Sequence, residues 1–374
     1  MALRFLVVGY GRVGRAITLR LKSRGHHVET VDVRRSNDKI ADEHHVIDAS
    51  KSPRDIARLA SKFDCACGCL PGGLGYKFIA ACADYGVKLV DVSFTSEDPL
   101  TLNSRALKTE SLIIPDCGIA PGLSNMIIGL SARKMSFIEK AEIKVGGIPK
   151  RPRPPLYHSS SWSVEDLLEE YIRPVRYVEN HEVKVCDPLS LKVPFKFKGL
   201  ELEAFPTDGL RTLLRMKNRP KFMRELTIRW KDHLDVIKSL RELGFFDDDK
   251  VDLGGVKMPI RALTAKILEK AMPRNDDMIV MEIEIHGIKD NKEVKGYLRI
   301  HGSLANEVST MAKITGTVCS EVALMVAQGQ INDIGVVPPE DLNKLDEVTL
   351  QVLNELKKLG IQIEVEGLEP LGIH

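Results

Sequence analysis

Phe5-Leu6-Val7-Val8-Gly9-Tyr10-Gly11-Arg12-Val13-Gly14 is the stretch on which the fold turns. A short apolar run ends on Gly-x-Gly-x-x-Gly. It leads into residues 12–24, where Val13, Ala16, Ile17 and Leu21 recur at helical spacing. Strand, glycine turn and helix in that order cradle a pyrophosphate. Gly9 permits the tight turn, Gly11 lets the backbone approach the phosphates, and Gly14 lets the helix lie close on the sheet. The helix N-terminus supplies amide donors. Residues 27–33 read as the second strand, which puts Asp32 at its end, 18 residues past Gly14. A carboxylate there bonds the ribose hydroxyls of a dinucleotide. The expected cofactor contacts are therefore Gly9, Tyr10, Gly11, Arg12, Val13 and Gly14 in the turn, with Asp32 and Val33 at the strand end. Asp32 favours NAD. Arg34 and Arg35 follow at once and suit the 2′-phosphate of NADP, unless they are a solvated basic turn.

Outward from this unit, strands and helices alternate to residue 130. Residues 46–48, 65–70, 88–92 and 112–115 read as further strands, and 53–61, 76–85 and 100–109 as helices. The first of these helices has Ser52 as its N-cap and Pro53 at its first position. This alternation predicts an α/β fold with a doubly wound parallel sheet, a Rossmann domain over residues 1–130. The pattern then changes. Pro149, Pro152, Pro154 and Pro155 mark a junction. Strand-like runs at 226–230, 278–286 and 294–301 follow, with helices at 164–171, 234–243 and 259–271. Met281-Glu282-Ile283-Glu284-Ile285-His286 alternates as a half-solvated antiparallel strand does, and 289–292 closes a hairpin. A second α+β domain on a mostly antiparallel sheet is expected over 131–305. Residues 306–374, opening on a helix at 307–327, are expected to pack back on the Rossmann domain.

The 374 residues carry a net charge of +2, with 43% hydrophobic and 28% charged residues. That supplies two globular cores and gives no electrostatic case for nucleic acid or an acidic membrane as partner. The seven cysteines are odd in number, which argues against a disulfide framework. Cys65, Cys67 and Cys69 alternate as one face of a buried strand. With no Cys-x-x-Cys and no His at ligand spacing, no metal site is read there. The N-terminal apolar run is too short for a signal sequence, and no stretch reads as the roughly 18–20 apolar residues of a membrane span. A cytoplasmic protein is expected. Few glutamines (Gln328, Gln330, Gln351, Gln362) among many Lys, Arg and Glu fit a thermophile.

Ligands of open α/β sheets bind at the carboxyl ends of the strands. Leu70 and Pro71 after the fourth strand, and Asp91 after the fifth, are therefore expected near the cofactor. Each is equally an ordinary turn residue by position. Pro115-Asp116-Cys117-Gly118-Ile119-Ala120-Pro121-Gly122 ends the sixth strand and would lie near a nicotinamide. Asp116 there can orient or deprotonate an amine, or cap the next helix. Cys117 has no basic partner in view and is read as a cofactor neighbour rather than a nucleophile.

Taken together, these segments resemble the saccharopine dehydrogenase family. The resemblance runs in order through Ile114–Ser124 (IPDCGIAPGLS), 146–156 (GGIPKRPRPPL), 161–168 (SWSVEDLL), Leu202-Glu203-Ala204-Phe205, Thr207-Asp208-Gly209-Leu210-Arg211, Leu226-Thr227-Ile228-Arg229-Trp230 with His233, and 335–340 (GVVPPE). Within the family the chain looks most similar to L-lysine 6-dehydrogenases of the archaeal type. That likeness implies oxidative deamination at the lysine ε-amine, with NAD, or NADP, taking the hydride. Water attacks the imine, ammonia leaves, and the semialdehyde cyclises to a piperideine carboxylate. It also implies a homodimer that takes a small amino-acid substrate. Two departures touch the site: Pro206 stands where some bacterial lysine dehydrogenases carry His, and Asp232 where the family has Gly before its His. Tyr157-His158-Ser159-Ser160-Ser161-Trp162 leans toward the saccharopine reductases.

In the second domain, Arg211, beside Thr212, is the candidate for the substrate carboxylate, because its planar fork grips a carboxylate bidentately. A salt bridge is its plain alternative. Asp208 can meet the substrate ammonium or cap the next helix. Tyr157 and Trp162 can wall the aliphatic stem or simply pack. His158 and His233 can relay protons, since imidazole titrates near neutrality. Asp116, Asp208 and His233 are thus the catalytic candidates. Two other readings compete. One is a saccharopine-forming or carboxyspermidine-type enzyme of the same family. The other is a non-catalytic NAD-sensing Rossmann module, like those of potassium uptake systems.

Overall fold

The structure is a computed structural model that describes residues 2–159, 163–272, 277–304 and 308–373. It divides into two compact units. Unit 1 holds residues 1–134, 211–216 and 312–359, and unit 2 holds 135–210, 217–311 and 360–374.

Unit 1 begins as the glycine turn requires, with β1 (Arg4–Val8), α1 (Arg12–Ser23) and β2 (His27–Asp32). β3 (Glu43–Val46), α2 (Pro53–Ala60), β4 (Cys65–Gly68), α3 (Gly72–Cys82) and β5 (Lys88–Asp91) follow. α4 (Asn103–Lys108), β6 (Leu112–Ile114) and α5 (Leu123–Lys134) complete the N-terminal run. A seventh strand, Gly335–Val336, returns from far along the chain to pair with β6. Every pairing is parallel, and the sheet order is 335–336, β6, β5, β4, β1, β2, β3. The order reverses between β1 and β4, and a ligand binds at such a point, at the carboxyl ends of the strands.

The apolar residues at helical spacing in α1 are buried: Ala16, Ile17 and Leu21. The sheet core gathers Leu6, Val8, Val31, Ala66, Leu89 and Ile113 with Ile56, Phe78 and Ile79 of the helices. Cys65 and Cys67 lie fully buried in β4, as their alternation predicts, although their even-numbered neighbours are buried too. All seven cysteines are free thiols. α2 does start at Pro53, but Ser52 makes no side-chain cap bond. β3 is shifted from the expected 46–48, and 100–109 splits into a 3-10 turn and α4. One expectation needs correction. Helix Thr310–Ala327 is by length and composition apolar enough to cross a membrane, with a mean hydropathy of 1.2. It is 78% buried inside the protein, which is how a core helix behaves.

Unit 2 is built on a nine-stranded mixed sheet, with helices Val164–Glu169, His233–Glu242 and Ile260–Ala271. Its main path runs 193–197, 200–207, 222–230, 137–149, 277–289, 292–302 and 362–366, with 175–179 and 182–186 branching from strand Phe222–Trp230. Among the described residues the single parallel pair of this sheet is Phe222–Trp230 on Phe137–Pro149, and the other pairings are antiparallel. The expected hairpin closes at Lys289↔Lys292. Its polar face is less solvated than alternation alone implies. Lys144 bridges Glu142 and Glu282 at 2.9 and 3.2 Å, Arg299 holds Glu282 at 2.8 Å, and Lys140 holds Glu284 at 2.5 Å. Charged residues on facing strands thus satisfy one another across the sheet.

Candidate active site

The glycine turn and the end of β2 are locked together. The Tyr10 amide donates to Asp32 Oδ2 at 2.8 Å, and the Gly9 amide donates to the Val31 carbonyl at 2.8 Å. Asp32 Oδ1 accepts the Arg34 amide at 2.9 Å. The Tyr10 hydroxyl donates to Asp38 at 2.8 Å. Tyr10, Arg15, Asp32, Arg34, Arg35, Ser36 and Asp38 line a hollow of about 290 Å³. The turn fits a dinucleotide on its own geometry. A Cβ on Gly14 would stand 1.9 Å from the Gly9 carbonyl oxygen, whereas a Cβ on Gly11 would meet nothing within 4 Å. The space over Gly11 is the approach a pyrophosphate needs, and the first turn of α1 carries no side-chain cap to compete for its amides. A nicotinamide dinucleotide bound here supplies the hydride acceptor.

Next along the sheet, Pro71 precedes α3 as its N-terminal cap residue. Asp91 ends β5 fully buried. Its Oδ1 accepts the Ser93 amide at 2.7 Å, and among the described residues its Oδ2 has no hydrogen-bond partner. Burial, with a smaller push from Asp116, raises the Asp91 carboxyl to about 7. The sign follows directly. The folded value lies above the unfolded one, so the ionised form is penalised in the fold. The penalty is absent at low pH, grows as pH rises from about 4 to 7, and is full above that, reaching about 4 kcal/mol. Asp91→Asn is therefore expected to stabilise the protein at pH 8 by a few kcal/mol and to change it little at pH 4. Chemical denaturation at both pH values measures this. Equal effects at the two would refute it.

Asp116 follows β6, and the structure rules out the helix-cap alternative, because α5 begins only at Leu123. Its carboxylate faces Arg211. The Arg211 Nε lies 3.3 and 3.2 Å from the two Asp116 oxygens, and an Nη donates to the Thr95 hydroxyl at 3.2 Å. The guanidinium lies over the Phe94 ring at 4.9 Å. The side chains of Arg211 and Asp116 are 3% and 1% exposed. Both residues also have left-handed backbones, φ +53° and +52°. Such conformations cost non-glycine residues about 1–3 kcal/mol each and cluster at functional sites. Here two residues with left-handed backbones form a buried ion pair near the carboxyl ends of the strands. Cys117 is buried beside them, its amide bonded to the Asp91 carbonyl at 2.8 Å, and burial pushes its thiol well up. That disfavours the thiolate a nucleophile needs.

Several placements differ from the sequence reading. Residues 211–216 belong to unit 1, not to the second domain. The Arg211 fork is occupied by Asp116 and Thr95 rather than standing open for a substrate carboxylate. Thr212 Oγ1 accepts from Asn125 at 3.4 Å. Asp208 lies in unit 2, where the Arg176 side chain grips both of its oxygens at 2.8 and 2.7 Å. Asp208 is thus one half of an ion pair with Arg176. His233 is buried at the start of helix His233–Glu242. Its Nε2 meets the Tyr171 hydroxyl at 2.9 Å, and its Nδ1 meets the Leu156 carbonyl. Burial, aided by the Arg229 charge, pushes it down to about 3. A proton relay near neutrality is therefore not available to it. His158 is buried, 5.3 Å from the His233 ring, and neither ring nitrogen has a hydrogen-bond partner among the described residues. Tyr157 is half-buried with φ +50°. Trp162 lies outside the described residues. The sequence reading missed Phe94, Thr95, Asn125 and Glu340, although Asn125 and Glu340 adjoin or close segments quoted above. Among the described residues, Glu29, Glu43 and His45 each bring a potential metal-ligand atom within 4.8 Å of one another, but Glu29 is already bonded by His27, His45 and Arg4.

A dinucleotide turn at the switch point of a parallel sheet fits a nicotinamide-dependent oxidoreductase. The chain belongs to the saccharopine dehydrogenase family. Residues 5–114 match the family model described as the saccharopine dehydrogenase NADP binding domain, and 118–361 match the saccharopine dehydrogenase C-terminal domain. The first match brings NADP forward beside the NAD that Asp32 suggested. A relative from Schizosaccharomyces pombe, saccharopine dehydrogenase [NADP(+), L-glutamate-forming], is 20% identical over 84% of this chain and 86% of its own. The apo saccharopine dehydrogenase (L-Glu forming) of Saccharomyces cerevisiae superposes with a TM-score of 0.78, covering 98% of this chain and 99% of its own at 16% identity. At that identity the likeness speaks for the fold.

Proposed function

We propose that this protein is an NAD(P)-dependent dehydrogenase that oxidises the ε-carbon of L-lysine, of the lysine 6-dehydrogenase kind. The balanced reaction is R–CH2–NH3+ + NAD(P)+ + H2O giving R–CHO + NH4+ + NAD(P)H + H+. A hydride leaves the carbon, water attacks the resulting imine, and the C–N bond breaks. The semialdehyde then closes on its own α-amine. The observation that carries this reading is the Asp116–Arg211 pair. A buried carboxylate at the strand ends gives the reacting amine a charged partner and an acceptor for its proton, and Arg211 fixes the orientation of that carboxylate. We further propose a cytoplasmic homodimer.

The names of the two related proteins favour a second reading, an enzyme that joins or splits an amino acid and a semialdehyde through a secondary amine. One experiment separates the readings. Purified protein is mixed with NAD or NADP and with lysine, ornithine, saccharopine or carboxyspermidine. Reduced cofactor is followed by absorbance and ammonia by a coupled assay. Turnover of lysine with one ammonia per cofactor supports the proposal. Turnover of saccharopine with release of an amino acid and no ammonia moves the assignment to the second reading. Cofactor binding without turnover across the panel sinks both and favours a sensor.

A further inference from the structure

Glu340 is a buried acid of unit 1 to which the proposed reaction gives no task. It is 2% exposed. Asn125 Nδ2 donates to its Oε2 at 3.3 Å, the Thr212 hydroxyl donates to the same carboxyl, and among the described residues Oε1 has no hydrogen-bond partner. Its mount is firm. Arg133 donates to the backbone carbonyls of Glu340 and Leu342 at 3.2 and 3.0 Å. α5 passes so close that a Cβ on Gly129 would stand 2.7 Å from the Glu340 Cβ. A side chain mounted this firmly and bonded this sparsely serves the groups it does touch.

Those groups lead to the Asp116–Arg211 pair. Thr212 follows Arg211, whose left-handed backbone turns the guanidinium onto Asp116. A strained residue keeps its conformation only when its surroundings over-determine it. Asn125 and Glu340 together fix the Thr212 hydroxyl, one residue from the strained bond.

We propose that Glu340 is a positioning residue that, through Thr212, holds the Arg211 turn so that the guanidinium meets Asp116. The inference rests on reading the Asp116–Arg211 pair as the place where the amine reacts. Burial supports it, pushing the Glu340 carboxyl up to about 7, with Asp341 adding to the push. The charged groups that meet it are Asp341, the next residue in the chain, and Arg133 of α5, which bonds its backbone carbonyl. Burial favours the neutral carboxyl, and an amide imitates its shape. Glu340→Gln keeps the shape and an acceptor for Asn125 and Thr212, whereas Glu340→Ala and Thr212→Val cut the tie.

The test compares the three variants by crystal structure, by dinucleotide affinity from fluorescence titration, and by kcat and KM for the amine turned over. E340Q is expected to keep kcat/KM within about threefold of the parent. E340A and T212V are expected to lower kcat by about 10- to 100-fold, as displaced catalytic groups do, with dinucleotide affinity nearly unchanged. Their crystal structures should show Arg211 out of hydrogen-bonding reach of Asp116. An unmoved Arg211 in these two variants, or an E340Q as damaged as E340A, overturns the inference. Should E340A not fold, E340Q and T212V decide it. The structural arm needs no substrate. Absence of turnover by the parent protein therefore counts against the proposed function, while the Arg211–Asp116 distance still decides the role of Glu340.

Discussion

Asp116→Asn is expected to stop amine oxidation, lowering kcat/KM by about a thousandfold, and to leave the dinucleotide dissociation constant within about threefold. Asparagine tolerates the left-handed backbone at this position, where φ is +52°, so the loop keeps its shape. What is lost is the charge and the ability to accept a proton from the amine. The variant also leaves the Arg211 guanidinium buried without its counter-ion, and breaking one side of a buried pair costs about 3–5 kcal/mol. Activity and stability must therefore be separated. Asp116→Asn with Arg211→Gln replaces the ion pair by two neutral amides. It is expected to recover most of the stability in a denaturant melt and none of the turnover. Arg211→Lys is expected to lose about a hundredfold in kcat/KM, because an ammonium cannot bond Asp116 and Thr95 together while lying flat on Phe94. If the asparagine variant keeps a tenth or more of the parent turnover, the pair is structural and the reacting amine is held elsewhere.

The fold was legible where chemistry and periodicity coincide. Gly9, Gly11 and Gly14 between an apolar strand and an amphipathic helix admit one arrangement, and the parallel sheet followed from strand–helix alternation. The seventh strand was not legible. Gly335–Val336 is two residues long, and its partner β6 lies more than 200 residues earlier, so no local pattern marks it. The parallel pair inside unit 2 was hidden for the same reason. At the site, Asp116 and Arg211 were each readable as candidates, but not as each other's partner. Their meeting depends on a six-residue segment, 211–216, that belongs to unit 1 while the chain on both sides belongs to unit 2. Spacing cannot reveal such a crossing. His233 shows the opposite failure. A histidine in a family motif suggested proton transfer, and only the structure reveals the burial and the neighbouring Arg229 that hold it neutral.

Gly14 and Gly11 sit three residues apart and predict opposite failures. Gly14→Ala places a methyl where the Gly9 carbonyl oxygen stands, 1.9 Å away. That oxygen belongs to the turn itself, whose Gly9 amide is tied to the Val31 carbonyl at 2.8 Å. α1 must then lift from the sheet and uncover Ala16, Ile17 and Leu21. Overpacking of this kind costs about 1–3 kcal/mol or more. The expected result is a lower melting temperature together with loss of measurable dinucleotide binding. Gly11→Ala meets nothing within 4 Å and has an extended backbone, φ −79° and ψ −157°, that any residue adopts. Its stability is expected to stay within about 1 kcal/mol of the parent, since nothing is displaced. Dinucleotide affinity is nonetheless expected to fall by about 10- to 100-fold, because the new methyl occupies the approach of the pyrophosphate. Thermal melts and fluorescence titration with NAD and NADP read both quantities on the same samples. A Gly11→Ala protein that binds as tightly as its parent would mean that the phosphates do not pass over Gly11, and the turn would then be a packing device alone.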